Sequence, residues 1–301
     1  MTLFSELEAI LGSENVKKHE RLSAHTTFRI GGPCKAYLTP ENAEAFLKAV
    51  QFLKERKEPF FLLGRGSNLL VSDSGFPGFV ISLREHLKAV TVSGTKVCGE
   101  GGALLSELSK AALHSGLTGL EFASGIPGTV GGGLVMNAGA YGSDLSCTLE
   151  SADILLPDGE VRTFTKEALS LSYRHSVLQE NHGIVLSATF DLSKGDPDEI
   201  RALTDDLNAR RREKQPLEFP SAGSTFKRPE GYFAGKLIED AGLKGARVGD
   251  AEVSAKHAGF IVNRGNATAS DVDRLIRLVI RKVREHSGVT LEPEVLYLGE
   301  F

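Results

Sequence analysis

The segment GIPGTVGGGLVMNAGAYG, residues 125–142, has seven glycines among its eighteen residues and is the most informative stretch of the chain. Glycine allows the backbone to turn with positive φ and lets a ligand approach the main chain closely. Apolar residues stand between these glycines, which is typical of a loop lying inside a domain against a flat aromatic ring. The segment therefore predicts a binding site for a ligand with a planar ring.

Two shorter glycine clusters precede this segment. The first is GRGSNLL (64–70), directly after a predicted strand, and the second is GEGG (99–102), between a predicted strand and a predicted helix. Successive free N–H groups in such loops form a nest for anionic oxygens, and short polar side chains such as Ser67 and Asn68 add donors. The clusters together predict a diphosphate site, although the third glycine of the usual dinucleotide fingerprint is missing after Gly66.

Composition narrows the class of protein. The chain has 301 residues, and its 35 basic and 39 acidic residues give a net charge of −4, which argues against a dedicated nucleic-acid binder. No run is long enough for a membrane-spanning helix, and the acidic start does not resemble a secretory signal. Three scattered cysteines predict neither a disulfide framework nor a zinc site. We expect a cytoplasmic monomer that binds small molecules and no metal, nucleic acid or membrane.

Hydrophobic periodicity predicts strands and helices that do not alternate strictly, so the pattern favours an α+β fold over a doubly wound sheet. The predicted helices span 1–12, 40–57, 103–115, 197–212 and 271–287. The predicted strands span 59–63, 79–83, 89–92, 96–98, 151–156, 160–164 and 183–192. Ser270 is expected to cap the start of the last helix, and Gly288 is expected to end it.

Seven motifs together resemble one known family. HTTFRIGG (25–32), LGRGSNLL (63–70), GEGG (99–102) and residues 125–142 resemble the FAD-binding region of the UDP-N-acetylenolpyruvoylglucosamine reductase family. SYRHS (172–176), SAGSTFKRP (221–229) and LEPEV (291–295) extend the resemblance over almost the whole chain, in the family's order. The length and the AGSTFKRP segment resemble the shorter variety of this family.

The resemblance implies a vanillyl-alcohol-oxidase/PCMH-type FAD-binding fold made of two α+β subdomains, followed by an α+β C-terminal substrate-binding domain. It places the first FAD-binding subdomain at 1–80, the second at 81–193 and the substrate-binding domain at 194–294. The last strand, within 295–301, is a candidate to return to the first subdomain.

The resemblance also implies the reaction. NADPH reduces non-covalently bound FAD, and hydride then passes from flavin N5 to C3 of the enolpyruvyl ether on UDP-N-acetylglucosamine. A proton added at C2 completes UDP-N-acetylmuramate, a precursor of peptidoglycan. The flavin supplies the redox chemistry, and the protein supplies orientation, charge stabilisation and the proton.

Three catalytic residues follow from the family match. Ser224 is expected to donate the proton, with Thr225 as its local rival. Arg174 is expected to grip the substrate carboxylate, since a guanidinium is always charged and binds carboxylates in bidentate fashion. Glu294 is expected to orient the acid step, whereas Glu292 fits a solvent-exposed acid better.

The family match also implies ligand contacts. Those with FAD are Gly64, Arg65, Gly66, Ser67, Asn68 and Leu69 in the first cluster, and Gly125, Ile126, Pro127, Gly128, Thr129, Gly132, Asn137, Ala138 and Gly139 in the third. Those with the substrate are Lys214, Lys227, Lys236 and His257. The run Arg210–Arg212 is interpreted as a solvated, charged helix end.

Two other functions remain open from the residues. One is a related flavin enzyme, such as an oxidase of an alcohol or hydroxy acid, against which the AGSTFK and EPEV motifs argue. The other is a non-enzymatic flavin-binding or UDP-sugar-binding regulator. A regulator would be expected to have lost Arg174, Ser224 or Glu294, and all three positions are filled.

Overall fold

The protein is described by a computed structural model that covers residues 2–301. Its helices are α1 Leu3–Leu11, α2 Ala43–Glu55, α3 Leu105–His114, α4 Val130–Val135, α5 Leu178–Asn181, α6 Pro197–Lys214, α7 Ala234–Asp240 and α8 Ala269–Ser287. The mixture of helices with mainly antiparallel strands is the α+β class that the sequence predicts.

The strands are short. They are β1 Val16–Lys18, β2 Cys34–Leu38, β3 Phe60–Leu63, β4 Leu69–Val71, β5 Phe76–Ser82, β6 Val90–Ser93, β7 Lys96–Glu100, β8 Leu117–Thr118, β9 Gly139–Ala140, β10 Ser143–Asp144, β11 Leu149–Leu155, β12 Val161–Thr165, β13 Ile184–Asp191, β14 Ser193–Lys194, β15 Ser221–Ser224, β16 Arg247–Val248, β17 Ala251–Val253, β18 Phe260–Asn263 and β19 Leu296–Leu298. Every helix and strand predicted from periodicity is present, with ends that differ by a few residues.

The chain divides into two compact units that are discontinuous in sequence. The first comprises residues up to Lys17, Ala36–Arg65 and Phe79–Arg211, and the second comprises Lys18–Lys35, Gly66–Gly78 and Arg212–Phe301. Two segments from the predicted first FAD-binding subdomain thus belong with the C-terminal part. The three-part division into 1–80, 81–193 and 194–294 stays a prediction.

The first unit contains a five-stranded antiparallel sheet of order β12-β11-β13-β7-β6. Pro157-Asp158-Gly159 forms the turn between β11 and β12, where Gly159 takes a φ of +91°. Helices α3 and α4 contribute Leu105 and Leu134 to the core under this sheet. In a four-stranded sheet of order β1-β2-β5-β3, β3 runs parallel to β5.

The second unit is built on an antiparallel sheet of order β15-β18-β17-β16. Helix α8 buries the face that carries Val272, Ile276, Val279 and Val283, as its periodicity predicts. Strand β19 pairs in parallel with β4, so that Leu296 lies opposite Leu69.

The predicted cap of α8 is wrong. Thr268, not Ser270, is the N-cap: its hydroxyl accepts a hydrogen bond from the Asp271 N–H at 3.0 Å, and the Asp271 carboxylate accepts one from the Thr268 N–H at 3.1 Å. This reciprocal pair is a capping box. Gly288 ends the helix in the left-handed conformation, as predicted.

The GEGG cluster is a packing feature, so the expectation of an anion nest is wrong there. The N–H groups of Gly101 and Gly102 donate to the carbonyl oxygens of Leu186 at 2.7 Å and Leu87 at 2.9 Å. A Cβ atom at Gly101 would lie 2.2 Å from the carbonyl oxygen of Val185, so only glycine fits.

The third cluster, read as a loop from its sequence, contains the short helix α4. The Thr129 hydroxyl accepts a hydrogen bond from the Gly132 N–H at 3.2 Å and caps this helix. Val130 and Leu134 are fully buried, and this burial offsets the poor helix propensity of three successive glycines.

Candidate active site

Ser224 is the last residue of β15 and presents an available hydroxyl. Gly223 precedes it with a φ of +76°, a conformation that side chains rarely adopt. Ser224 is half-buried, and its hydroxyl makes no hydrogen bond to any residue between 2 and 301. A bound ligand can therefore take this hydroxyl as a partner.

Thr225, the rival proton donor, faces the core instead. Its side chain is buried, and its hydroxyl accepts a hydrogen bond from the Ile261 N–H at 3.0 Å. Its own N–H donates to the Gly259 carbonyl at 2.8 Å. Because this hydroxyl is enclosed and committed to the sheet, the geometry favours Ser224 over Thr225.

Glu294 lies in a segment that runs antiparallel beside the serine motif. Phe226 pairs with Pro293, and the Glu294 N–H donates to the Thr225 carbonyl at 2.8 Å. The two motifs, separated by about 70 positions in the sequence, are therefore neighbours in space.

Glu292 differs from Glu294 in its surroundings. Its carboxylate forms an exposed ion pair with the Lys227 ammonium at 2.5 Å, and its carbonyl accepts the Lys227 N–H at 2.9 Å. This agrees with the prediction that Glu292 is a solvent-exposed acid. It also gives Lys227, a predicted substrate contact, a partner within the protein.

The part of the first glycine cluster that belongs to the second unit lies beside these motifs. The Asn68 side-chain amide donates to the Glu294 carbonyl at 3.1 Å, and the Asn68 carbonyl accepts the Leu296 N–H at 3.0 Å. A Cβ atom at Gly223 would lie 4.0 Å from the Ser67 carbonyl oxygen. The predicted nest is therefore adjacent to the predicted proton donor.

The donors in this loop are available. The N–H groups of Gly66, Ser67 and Asn68 have no acceptor within the described chain, and Gly66 takes a φ of +63°. Thr27 braces the loop, since its N–H donates to the Gly66 carbonyl at 3.1 Å and its hydroxyl donates to the Ser221 carbonyl at 2.7 Å. Sequence reasoning did not assign a role to Thr27, although HTTFRIGG was among the matching motifs.

The first unit contains the rest of the predicted FAD contacts. A Cβ atom at Gly64 would lie 2.6 Å from the Thr129 hydroxyl. Gly64 of the first cluster and Thr129 of the third cluster are therefore in close contact. The N–H groups of Gly125 and Thr129 have no acceptor in the described part of the chain, and the buried Arg65 Nε is also without a partner. These orphaned donors fit a ligand rich in acceptor oxygens and nitrogens, as FAD is.

Asn137 is engaged within the protein. It is buried with a φ of +40°, its side chain donates to the Ser172 carbonyl at 3.1 Å, and its oxygen accepts the Ser146 N–H at 3.1 Å. Gly139 packs against Asp144, which would lie 2.6 Å from an added Cβ. Because the Asn137 side chain is already hydrogen-bonded within the protein, Asn137 can contact FAD only through its backbone.

Arg174 stands on a tight turn that is fastened to α4. Ser172 and His175 exchange backbone hydrogen bonds across it, and Arg174 takes a left-handed φ of +55°. The Ser176 hydroxyl donates to the Val135 carbonyl at 2.8 Å, which ties the turn to the helix. Strained, well-anchored turns of this kind are common where a side chain must be held for function.

His175, next to Arg174, pairs with Glu180 at 2.9 Å near the surface.

The remaining predicted substrate contacts lie apart from one another. Lys214 is exposed at the end of α6, and Lys236 forms an exposed ion pair with Asp240 at 2.5 Å. His257 is half-buried, with Nδ1 accepting the Gly259 N–H at 3.2 Å, and burial lowers the pKa of its imidazole. His257 thus lies near Thr225, whose N–H binds the Gly259 carbonyl.

Arg211 contradicts the interpretation of Arg210–Arg212 as a uniformly solvated run. It is half-buried against the third glycine cluster, whereas Arg210 and Arg212 are exposed. The charge pattern alone does not distinguish the three arginines. Successive residues of a helix point in different directions, so helical periodicity was the signal that could have identified the buried one.

Residues 2–301 contain no cluster of three or more His, Cys, Asp or Glu side chains placed to hold a metal ion. None of the helices in the described chain is long and apolar enough to cross a membrane.

Comparison with known proteins places these features in a family. The model for the FAD binding domain matches residues 34–165, and the model described as the C-terminal domain of UDP-N-acetylenolpyruvoylglucosamine reductase matches residues 215–298. The first match confirms the predicted FAD-binding fold.

Similar proteins match nearly the whole chain. The UDP-N-acetylenolpyruvoylglucosamine reductase of Clostridium novyi is 51% identical over 98% of this chain and 96% of its own length. That of Caldanaerobacter subterraneus is 48% identical over 99% of this chain and 98% of its own length.

A solved structure agrees with this result. The crystal structure of UDP-N-acetylenolpyruvylglucosamine reductase from Thermus caldophilus superposes with a TM-score of 0.81 at 35% identity, covering 94% of this chain and 99% of that one. The chain belongs to the UDP-N-acetylenolpyruvoylglucosamine reductase family.

Proposed function

We propose that this protein is an FAD-dependent reductase that converts the enolpyruvyl ether of UDP-N-acetylglucosamine-enolpyruvate to UDP-N-acetylmuramate for peptidoglycan synthesis, with NADPH as the reductant. The observation that carries the proposal is the meeting of three motifs in one unit. The loop containing Ser67 and Asn68, the strand ending at Ser224 and the segment containing Glu294 are joined by backbone and side-chain hydrogen bonds.

FAD, when bound, supplies hydride-transfer chemistry that no side chain can provide. The free N–H groups of Gly66, Ser67 and Asn68 would hold its diphosphate, with Gly64, Arg65 and Leu69 completing that loop. The third cluster would hold the ring through Gly125, Ile126, Pro127, Gly128, Thr129, Gly132, Asn137, Ala138 and Gly139. Binding is non-covalent, since none of these residues is a His or Cys.

Ser224 would deliver the proton to C2 of the substrate. Reduction adds a hydride at C3 and a proton at C2 across one C=C bond, so the protein must provide one proton in each turnover. A serine hydroxyl is a weak acid and needs a neighbour that stabilises the charge it leaves. Glu294 stands on the adjoining segment, where it would orient the serine or a water that restores the proton.

Arg174 would stabilise the substrate carboxylate. Hydride addition at C3 drives negative charge onto C2 and the carboxylate, and a preorganised guanidinium lowers the energy of that state. The anchored turn from Ser172 to Ser176 supports this role, because it fixes the backbone from which the side chain extends.

The substrate diphosphate would be recognised by Lys214, Lys227, Lys236 and His257. Lys227 and Lys236 must then exchange their exposed carboxylate partners for phosphate, at small cost because such ion pairs are weak. The partners are small molecules, and the protein is expected to act as a cytoplasmic monomer.

Product analysis tests the proposed function. The FAD-loaded protein is incubated with NADPH and the enolpyruvyl UDP-sugar, and the sugar is examined by mass spectrometry. The expected product has gained two hydrogen atoms and co-elutes with UDP-N-acetylmuramate. A yellow protein that oxidises NADPH and leaves the sugar unchanged would instead indicate a flavin enzyme with another substrate. Binding of the sugar without any turnover would indicate a regulator.

A further inference from the structure

The segment 212–220 carries Lys214 and leads into the strand that ends at Ser224. Lys214 is exposed, and its ammonium forms no ion pair with residues 2–301. The other two lysines predicted to bind the substrate have carboxylate partners instead. A lysine side chain is flexible, so it can make a defined contact with phosphate only if the backbone that carries it is held in place.

Lys256 holds the first part of this segment. Its ammonium donates a hydrogen bond to the Arg212 carbonyl at 2.7 Å and lies 4.0 Å from the Glu218 carboxylate. The Arg212 carbonyl is among the last four of α6, so it has no partner within the helix. Lys256 therefore binds the segment on both sides of Lys214, and it immediately precedes His257, another predicted substrate contact.

Arg264 holds the last part of the segment. Its guanidinium carbon lies over the Phe219 ring, 4.0 Å from the ring centre, and its Nε lies 3.7 Å from the carboxylate of the buried Glu252. A guanidinium at this distance is attracted to the face of the ring. Glu252 stands on β17, so Arg264 connects Phe219 to the sheet of the second unit. Beside this contact, the Asn263 N–H donates to the Pro220 carbonyl at 2.9 Å.

We propose that Lys256 and Arg264 are positioning residues, which hold the segment 212–220 in the conformation that presents Lys214 to the diphosphate of the UDP-sugar. The inference rests on the proposed function and adds two residues that lie in none of the seven matching motifs. Both contacts are made within the protein, so neither side chain has to touch the substrate. A segment that is ordered before the ligand arrives binds more tightly, because less conformational entropy is lost on binding.

The chemistry of the reaction predicts which parameter should change. The diphosphate keeps its charge throughout the reduction, so Lys214 binds the ground state and the transition state alike. Loss of such binding weakens the affinity for the sugar and leaves the rate of the bound complex unchanged. Partial unfolding would instead reduce the amount of active enzyme, and it would change neither the affinity nor the rate of the remaining folded molecules.

Anaerobic stopped-flow measurements on the FAD-loaded protein test this inference. The flavin is first reduced with dithionite and then mixed with increasing concentrations of the enolpyruvyl UDP-sugar. The dependence of the reoxidation rate on sugar concentration gives a Kd and a limiting rate, and the amplitude gives the amount of active enzyme.

We expect Lys214→Met to raise the Kd about tenfold or more, because a hydrogen bond to a charged group is lost. Lys256→Met and Arg264→Met should each raise it at least about threefold and leave the limiting rate unchanged. Lys256→Arg should stay near wild type, since a guanidinium can also donate to the Arg212 carbonyl.

A double-mutant cycle shows whether Lys256 acts through Lys214. In protein that already carries Lys214→Met, the further change Lys256→Met should have little effect on the Kd, because the segment no longer presents a charge. Additive losses would mean that Lys256 contributes to binding independently of Lys214.

Arg247→Met is the matched control for Arg264→Met. Both arginines pair with Glu252, and Arg264 is the one of the two that stacks on Phe219. Each substitution leaves Glu252 with the other arginine, so neither leaves this buried carboxylate without a partner. Arg247→Met should leave the Kd and the limiting rate unchanged.

Four results would overturn the inference. They are an unchanged Kd in Lys214→Met, an unchanged Kd in either Lys256→Met or Arg264→Met, an equal increase in Arg247→Met, and additive losses in the double-mutant cycle. Reduced wild-type flavin that the sugar does not reoxidise would refute the proposed function instead.

Discussion

At the residue scale, two adjacent hydroxyls show how local geometry decides a role that their chemistry leaves open. Ser224 and Thr225 are equally plausible proton donors as residue types. They differ in the direction in which their side chains point. Thr225 is buried and accepts the Ile261 N–H, whereas Ser224 is half-buried and has no partner in the described residues. Alternation along a strand sends neighbouring side chains to opposite faces, which explains the difference.

Ser224→Ala should separate the two half-reactions. Flavin reduction by NADPH should continue at the wild-type rate, and reduction of the enolpyruvyl sugar should fall by about 10²–10⁴-fold, because a general acid is lost. Anaerobic stopped-flow absorbance measures both steps. Equal losses in both would contradict the role of Ser224 as proton donor.

Thr225→Ala is the matched control for that experiment. It leaves the buried Ile261 N–H without an acceptor, which should cost about 1–3 kcal/mol of unfolding free energy. Its substrate reduction, measured on folded protein, should stay far above that of Ser224→Ala. Unfolding in urea and stopped-flow on the same preparation give the two readings.

His257 should make stability sensitive to mild acid. Burial lowers the pKa of its imidazole from the usual 6.5, so the unfolded chain binds a proton more readily than the folded one. The free energy of unfolding should therefore decrease as the pH falls below about 6.5 and level off below the folded-state pKa. Urea unfolding at pH 7.5 and 5.5 should show a larger loss of unfolding free energy for wild type than for His257→Gln. Equal losses in the two proteins would contradict this role of His257.

At the element scale, α8 shows which part of a helix its sequence can predict. Its buried stripe and its end at Gly288 follow from periodicity and glycine chemistry. Its start involves Asp73, whose carboxylate accepts the N–H groups of Ala269 at 2.8 Å and Ser270 at 3.0 Å. Asp73 is remote in the sequence, so no local pattern could have identified it, and Thr268 was overlooked in favour of Ser270.

Removing these caps should destabilise the second unit. Thr268→Ala and Asp73→Ala should each cost about 0.5–2 kcal/mol of unfolding free energy, because each leaves N–H groups of the first turn unsatisfied. Ser270→Ala, at the position that the sequence suggested, should change it by less than about 0.5 kcal/mol. Chemical denaturation of the three variants measures the difference; a loss for Ser270→Ala as large as for Thr268→Ala would show that the assigned cap is wrong.

At the scale of the whole molecule, motif order predicted the family and the α+β fold, while the grouping of segments depended on long-range contacts. Thr27 binds the carbonyls of Gly66 and Ser221, and Asn68 binds that of Glu294. Periodicity describes single elements and is silent about which loops meet. No local pattern therefore indicates that 18–35 and 66–78 group with the C-terminal residues, as they do in the structure.

The orphaned donors of the glycine clusters should make FAD a stabilising ligand for the folded protein. Protein stripped of FAD should melt at a lower temperature, and added FAD should restore the loss by about 2.7 kcal/mol at a hundredfold excess over its Kd. Differential scanning calorimetry over a range of FAD concentrations measures this, with riboflavin, which lacks the diphosphate, as the control. No dependence on FAD would contradict the assignment of the clusters.

The most direct test of the central claim is an anaerobic titration of the purified yellow protein, followed by its visible flavin absorbance. NADPH is added first, and the enolpyruvyl UDP-sugar second. The account predicts that NADPH bleaches the flavin and that the sugar restores its colour at once, with UDP-N-acetylmuramate as the product. Bleaching with no recovery on addition of the sugar would contradict the assigned substrate, and a protein that takes up no FAD would contradict the site itself.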